Sequence, residues 1–122
     1  MRELKFRVWD EIYYRWINGW MVYAENIKYN GLIFQQYVGI KDCTGKEIYE
    51  GDIICTMKDY LRLIVWSKEQ LQWFAVNGDE ELFPVGIWLN KDFPKLKVVG
   101  NYLENEKLFK KIKYGREYLN EW

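Results

Sequence analysis

The chain has 122 residues, 18 Lys plus Arg against 18 Asp plus Glu, and no histidine. That length fits one domain with its own hydrophobic core, without metal or disulfide staples. The balanced charge lacks the basic surplus with which proteins bind duplex phosphates, and without imidazole the commonest general base and metal ligand is gone.

The opening segment "MRELKFRVWD" has no apolar run of signal-peptide length. No stretch approaches the roughly 20 apolar residues of a membrane-spanning helix. A soluble, cytoplasmic protein is expected. Leu4, Phe6 and Val8 alternate with Lys5 and Arg7, the period of a half-buried strand. In "YYRWINGWMVYA", Asn18-Gly19 separates two aromatic runs, a hairpin signal because a tight primed turn needs positive φ at its centre. "LIFQQYVGI" reads as the next strand, ending near Lys41.

Asp42 to Gly45 reads as a turn. Asp42 can accept from a nearby backbone N–H, and Gly45 can take the left-handed conformation that closes such a loop. Glu47, Glu50 and Asp52 then fall within six residues, a density that raises acid–base work or a cation site. The spacing argues against both: residues 46 to 49 read as a strand, and Ile48 and Tyr49 break the alternate-ligand pattern of a calcium loop. Asp52, after Gly51, reads as a turn residue bonding the backbone. "TGK" lacks the preceding glycine and following helix of a phosphate loop.

"GDIICTM", "LRLIVW" and "LQWFAV" are three further strands. In the second, Leu61, Leu63 and Val65 share one face and Ile64 and Trp66 the other, so both faces should be covered. "SKEQ" and "NGDE" are the turns about the third. "ELFPVGIWL" carries Pro84 and Gly86, which suits an edge or bulged strand, and "KLKVVG" is the last. In "NYLENEKLFKKIK", Leu108, Phe109 and Ile112 share a helical face. Asn105 is the expected N-cap, Asn101 its rival, and Gly115 the stop. "REYLNEW" is left as a tail or a second short helix.

The reading is therefore a mainly β chain with one short C-terminal helix. Most of Phe6, Trp9, Tyr37, Trp66, Trp73 and Phe74 are expected in its core. Seven Trp, ten Tyr and six Phe are more than such a core needs, so some should reach the surface. Surface aromatics serve protein interfaces or stack single-stranded nucleic acid. A homo-oligomer is the favoured use. Nucleic acid is the alternative, with Lys107, Lys110, Lys111, Lys113 and Arg116 as its weak phosphate contacts. Cys43 and Cys55 read as reduced thiols, and neither has a base to make it a nucleophile. No catalytic residue, metal site or cofactor is expected.

Three segments give the chain a resemblance. "RELKFRVWD", "QQYVGIKDCTGKEIYEGDII" and "VVGNYLENEKLF", with "IVW" between the last two, resemble in order the YopX family of phage and prophage proteins, over residues 2 to about 109. The middle segment is the most specific: Asp42, Gly45, Lys46, Glu47, Ile48, Tyr49, Glu50, Gly51 and Asp52 match the family signature. Cys43 and Glu106 depart from it, where the family often has a polar residue and proline. Residues from about 112 to 122 fall outside it. The resemblance implies a single mostly β domain, part of it like an SH3-type barrel with N-terminal hairpins added. It also implies a bacterial cytoplasmic setting and brings no catalytic residue. The expected role is a non-enzymatic accessory protein that binds or self-associates.

Overall fold

The computed structural model describes residues 5–17, 31–56, 60–78, 83–84 and 96–121. Its described strands form two antiparallel sheets. The first contains β1 (Phe6–Asp10), β2 (Arg15–Ile17), β3 (Leu32–Lys41) and β4 (Glu47–Tyr49), in the order β2-β1-β3-β4. The second contains β5 (Asp52–Thr56), β6 (Tyr60–Ser67), β7 (Gln72–Val76), β8 (Phe83–Pro84) and β9 (Lys97–Asn101), in the order β8-β7-β6-β5-β9. Strands β5 to β8 form a meander, and β9 returns beside β5. The mainly β class read from the sequence holds; among the described residues, two short helices, α1 (Glu106–Phe109) and α2 (Gly115–Glu121), stand at the C-terminal end where one was expected.

The second sheet is covered on both faces, as the double-sided pattern of "LRLIVW" requires. Ile54, Ile64, Trp73, Ala75 and Val98 meet Val38 and Ile48 of the first sheet. On the opposite face Ile53, Leu63, Val65, Phe74 and Val76 meet Phe109 and Ile112, with Leu108, Tyr118 and Leu119 packed around them. Each sheet thus supplies one wall of a shared core, and the helices close the far side.

Local chemistry explains the corners. Asp10 is buried and accepts from the N–H groups of Ile12 and Tyr13 at 2.9 and 3.2 Å, which fixes a turn between β1 and β2. That hairpin was not read from the sequence. The one expected at Asn18-Gly19 lies outside the described residues, as do Leu4, Gly86 and the Asp79-Glu80 end of "NGDE". Pro84 sits in β8, an edge strand among the described residues, the place in a sheet where proline is tolerated.

Three expectations are corrected. Phe6 is 51% exposed rather than core, because the face of β1 that meets the second sheet carries Arg7 and Trp9. The helix reaches only from Glu106 to Phe109, and Asn105 makes no side-chain cap; its Oδ1 instead accepts from Asn101 N at 2.9 Å. Gly115 opens α2 rather than ending α1. The turn before it holds Tyr114 at φ 63, and a Cβ on Gly115 would lie 2.5 Å from the Phe109 ring, so only glycine lets the two helices meet there.

Candidate functional site

The signature residues divide into three structures. Asp42 turns the chain. Its Oδ1 accepts from Thr44 N, Thr44 Oγ1 and Lys46 N at 2.8, 2.6 and 2.9 Å, and its Oδ2 accepts from Val98 N at 2.9 Å. Burial pushes this carboxyl up, but the bonds from the Thr44 side chain and the Val98, Lys46 and Thr44 amides outweigh it and hold it below its ordinary value. Gly45 closes the turn at φ 90, and Lys46 beside it is exposed.

Glu47, Ile48 and Tyr49 form β4. Glu47 pairs with Lys5 at 2.6 Å, and that hydrogen bond holds its carboxyl below the usual range. Ile48 is core. The buried Tyr49 ring lies 5.6 Å from that of Tyr37.

Glu50, Gly51 and Asp52 form the corner that joins the two sheets. Asp52 points inward and is buried. Arg7 Nη2 and Asn101 Nδ2 both donate to its Oδ1, and Tyr49 N donates to its Oδ2 at 2.8 Å. Gln35 completes the network: its Oε1 accepts from Arg7 Nε, Arg7 Nη2 and Asn101 Nδ2 at 3.2, 3.1 and 2.9 Å. The Arg7 guanidinium lies between the Trp16 and Tyr49 rings, 4.1 and 4.4 Å from their centres. Burial pushes the Asp52 carboxyl up, and the Arg7 charge and the bonds from Asn101 and Tyr49 oppose the push. The backbone bond expected of Asp52 is there, but its larger role is this cross-sheet pair, which sequence reasoning missed. The signal was Gln35 at a strand position of the same parity as Ile33 and Tyr37, where an apolar residue is expected.

Glu50 points to the other side of the corner. It lines a cleft of about 360 Å³ with Phe34, Trp66, Tyr102, Arg116 and Tyr118. Its Oε1 accepts from Gln36 N at 2.9 Å. Burial raises its carboxyl, and the Gln36 bond only partly offsets this. Burial also raises the Tyr102 phenol, with the Glu50 charge adding to the effect. Gly51 forms part of the cleft wall at φ 81. Its N–H donates to Ile64 O at 2.8 Å, and its carbonyl accepts from Tyr102 N at 3.0 Å.

The three acids therefore do not converge: Glu47 meets Lys5, Asp52 meets Arg7, and Glu50 faces the cleft. Among the described residues no group of three or more acidic, Cys or His side chains could hold a metal ion. Of the basic residues, Lys107, Lys110, Lys111, Lys113 and Arg116 are exposed. Lys110 lies 3.8 Å from Glu106, and Arg116 sits over the Phe109 ring in the cleft wall. No helix among the described residues is long and apolar enough to cross a membrane.

A family model described as YopX protein matches residues 19–110. Among solved structures, the chain is similar to protein EF1440 from Enterococcus faecalis. The two are 19% identical, the match covers 88% of this chain and 99% of that one, and the TM-score is 0.61. At that identity the likeness is one of fold. Among curated proteins none matches.

Proposed function

The chain belongs to the YopX family, and we propose that it is a non-enzymatic binding module whose ligand seats in the cleft beside the Glu50–Gly51 corner. The observation that carries this reading is the contrast across the corner. On the inner side, Asp52 is fully engaged by Arg7, Asn101 and Tyr49. On the outer side, a partly buried carboxylate faces a cleft walled by four aromatic rings. Concave sites where a few polar groups converge are where proteins hold small ligands or side chains, and here the aromatic rings stand among polar groups, Glu50, Gln35 and Arg116, that make the cleft's surface more polar than apolar. The lack of histidine, with Asp52 and Glu47 held in ion pairs, favours binding over acid–base chemistry. The phage or prophage origin and the bacterial cytoplasmic setting implied by the sequence are part of the same proposal.

Amide chemical-shift mapping with a pool of small aromatic fragments tests it. The shifts should cluster at Phe34, Glu50, Trp66, Tyr102 and Tyr118. A pool that perturbs nothing there, or single-stranded DNA that shifts Lys107 to Lys113 in a salt-dependent way, defeats the reading in favour of the alternatives.

A second reading, self-association, has its own support. Phe6 and Phe34 flank buried Val8 on one face of the first sheet, and each is 51% exposed. Sedimentation should then show a dimer or larger species at micromolar concentration, and a monomer throughout ends this reading.

A further inference from the structure

We propose that the cleft selects an organic cation, an alkylammonium group held by the Glu50 carboxylate and the surrounding aromatic faces. This rests on the reading of the cleft as a binding site. This chain compensates its other wholly or partly buried carboxylates with a cation or with several donors. Asp10 has Arg15 at 3.4 Å, Glu47 has Lys5 at 2.6 Å, and Asp52 has Arg7. Asp42 has no cation but receives four hydrogen bonds. Glu50 differs from all of these. It receives one hydrogen bond, from Gln36 N to Oε1, and no Lys or Arg lies within ion-pair distance of it among the described residues. A carboxylate withdrawn from water with one donor is under-compensated, and a cation is the partner that compensates it.

The walls point the same way. Phe34, Trp66, Tyr102 and Tyr118 line the cleft with Glu50, and aromatic faces attract cations, Trp most strongly. Tyr102 is a neutral phenol at neutral pH, and burial and the Glu50 charge move its titration further up, so it adds no second negative charge. The chain uses this same combination two residues away: Arg7 lies between the Trp16 and Tyr49 rings beside Asp52. A cation between rings and against a carboxylate is therefore a stable arrangement at this corner. Arg116, on the α2 wall, is a like charge to such a ligand. It favours seating at the Glu50 end and weakens binding overall. The volume of about 360 Å³ suits a side-chain-sized group.

The experiment titrates the full chain with choline and its neutral isostere 3,3-dimethylbutan-1-ol, and with N-acetyl-lysine methylamide and its neutral counterpart N-acetyl-norleucine methylamide. Intrinsic Trp fluorescence and amide shifts are the readouts. The cationic member of at least one pair should bind about tenfold tighter than its neutral partner. Glu50→Gln should abolish that preference in a chain that stays folded, and Arg116→Gln should tighten cation binding at low salt. Tighter choline assigns a free small molecule as the source, and tighter lysine amide assigns a partner's side chain. Equal binding within both pairs, or a preference that survives Glu50→Gln, overturns the proposal. Aromatic fragments that shift the cleft while all four probes fail would remove the cation and leave the cleft as a binding site. Silence from every compound removes both.

Discussion

Replacing Gly51 by alanine should destabilise the chain far more than the same change at Gly45. Both glycines have positive φ, 81 and 90. A side chain forced into that left-handed region costs about 1–2 kcal/mol, and both variants bear that cost. Only Gly51 is crowded as well. A Cβ there would lie 2.6 Å from Tyr102 Cε1 and 2.7 Å from Gln35 Nε2, whereas nothing lies within 4 Å of one at Gly45. Neither neighbour yields easily. Gln35 is bonded to Arg7 and Asn101, and Tyr102 packs against Phe109 at 5.6 Å between ring centres. Overpacking of this kind adds about 1–3 kcal/mol. The total for Gly51→Ala is then about 2–5 kcal/mol, a large part of the roughly 5–15 kcal/mol that holds a typical domain. Urea denaturation followed by Trp fluorescence measures both, and the Gly51 midpoint should fall about 1–3 M below the native one. Two variants within about 0.5 kcal/mol of each other would refute the crowding argument.

Four further outcomes follow from the same geometry. Glu50→Gln should stabilise the chain at neutral pH. The folded carboxyl titrates above its ordinary value of 4.5, so its contribution is favourable in acid and lost as pH rises through the folded pKa; the gain in melting temperature should vanish in acid. Asp42→Ala should cost about 1–3 kcal/mol through unsatisfied donors. Because the folded Asp42 carboxyl titrates below its ordinary value, its contribution is present above the unfolded pKa and lost as pH falls through the folded one, so the variant should show a shallower acid unfolding slope. Arg7→Met leaves Asp52 unpaired in the interior and should cost about 3–5 kcal/mol by chemical denaturation. Glu47→Gln breaks only a half-exposed pair with Lys5 and should cost under about 1 kcal/mol by the same measurement.

Where a local rule decided the structure, the sequence was readable. Asp42 and Gly45 announced a turn, Pro84 an edge strand, and the double-sided "LRLIVW" a sheet covered on both faces. What stayed hidden depended on distant partners. Alternation made Arg7 look like the wet side of a half-buried strand, yet its guanidinium is drawn in because Asp52 and Gln35 arrive from other strands to accept from it, and Asn101 holds both acceptors in place. Phe6 is exposed although Val8, on the same face of β1, is buried. The helix reading overran because Leu108, Phe109 and Ile112 do face one core, although Tyr114 turns left-handed between them and α2. The spacing of Glu47, Glu50 and Asp52 argued against a shared acidic site, and β4 and the corner do send them in different directions; the cleft that Glu50 faces stayed hidden because its walls come from β3, β6 and α2.

The network at the corner has a consequence for how the chain is made. Arg7 meets Asp52 45 residues further on, Gln35 meets Asn101 66 residues further on, and the Tyr14 hydroxyl donates to Leu103 O 89 residues later. A ribosome adds about 5–20 residues per second, so Tyr14 waits roughly 5–20 s for that carbonyl. During that time β1 and its aromatic neighbours are synthesised but unfinished, with strand edges open to other nascent chains. The corner built on Arg7, Gln35 and Asp52 is closed only once Asn101 has been made, so the first described sheet waits on the last described strand.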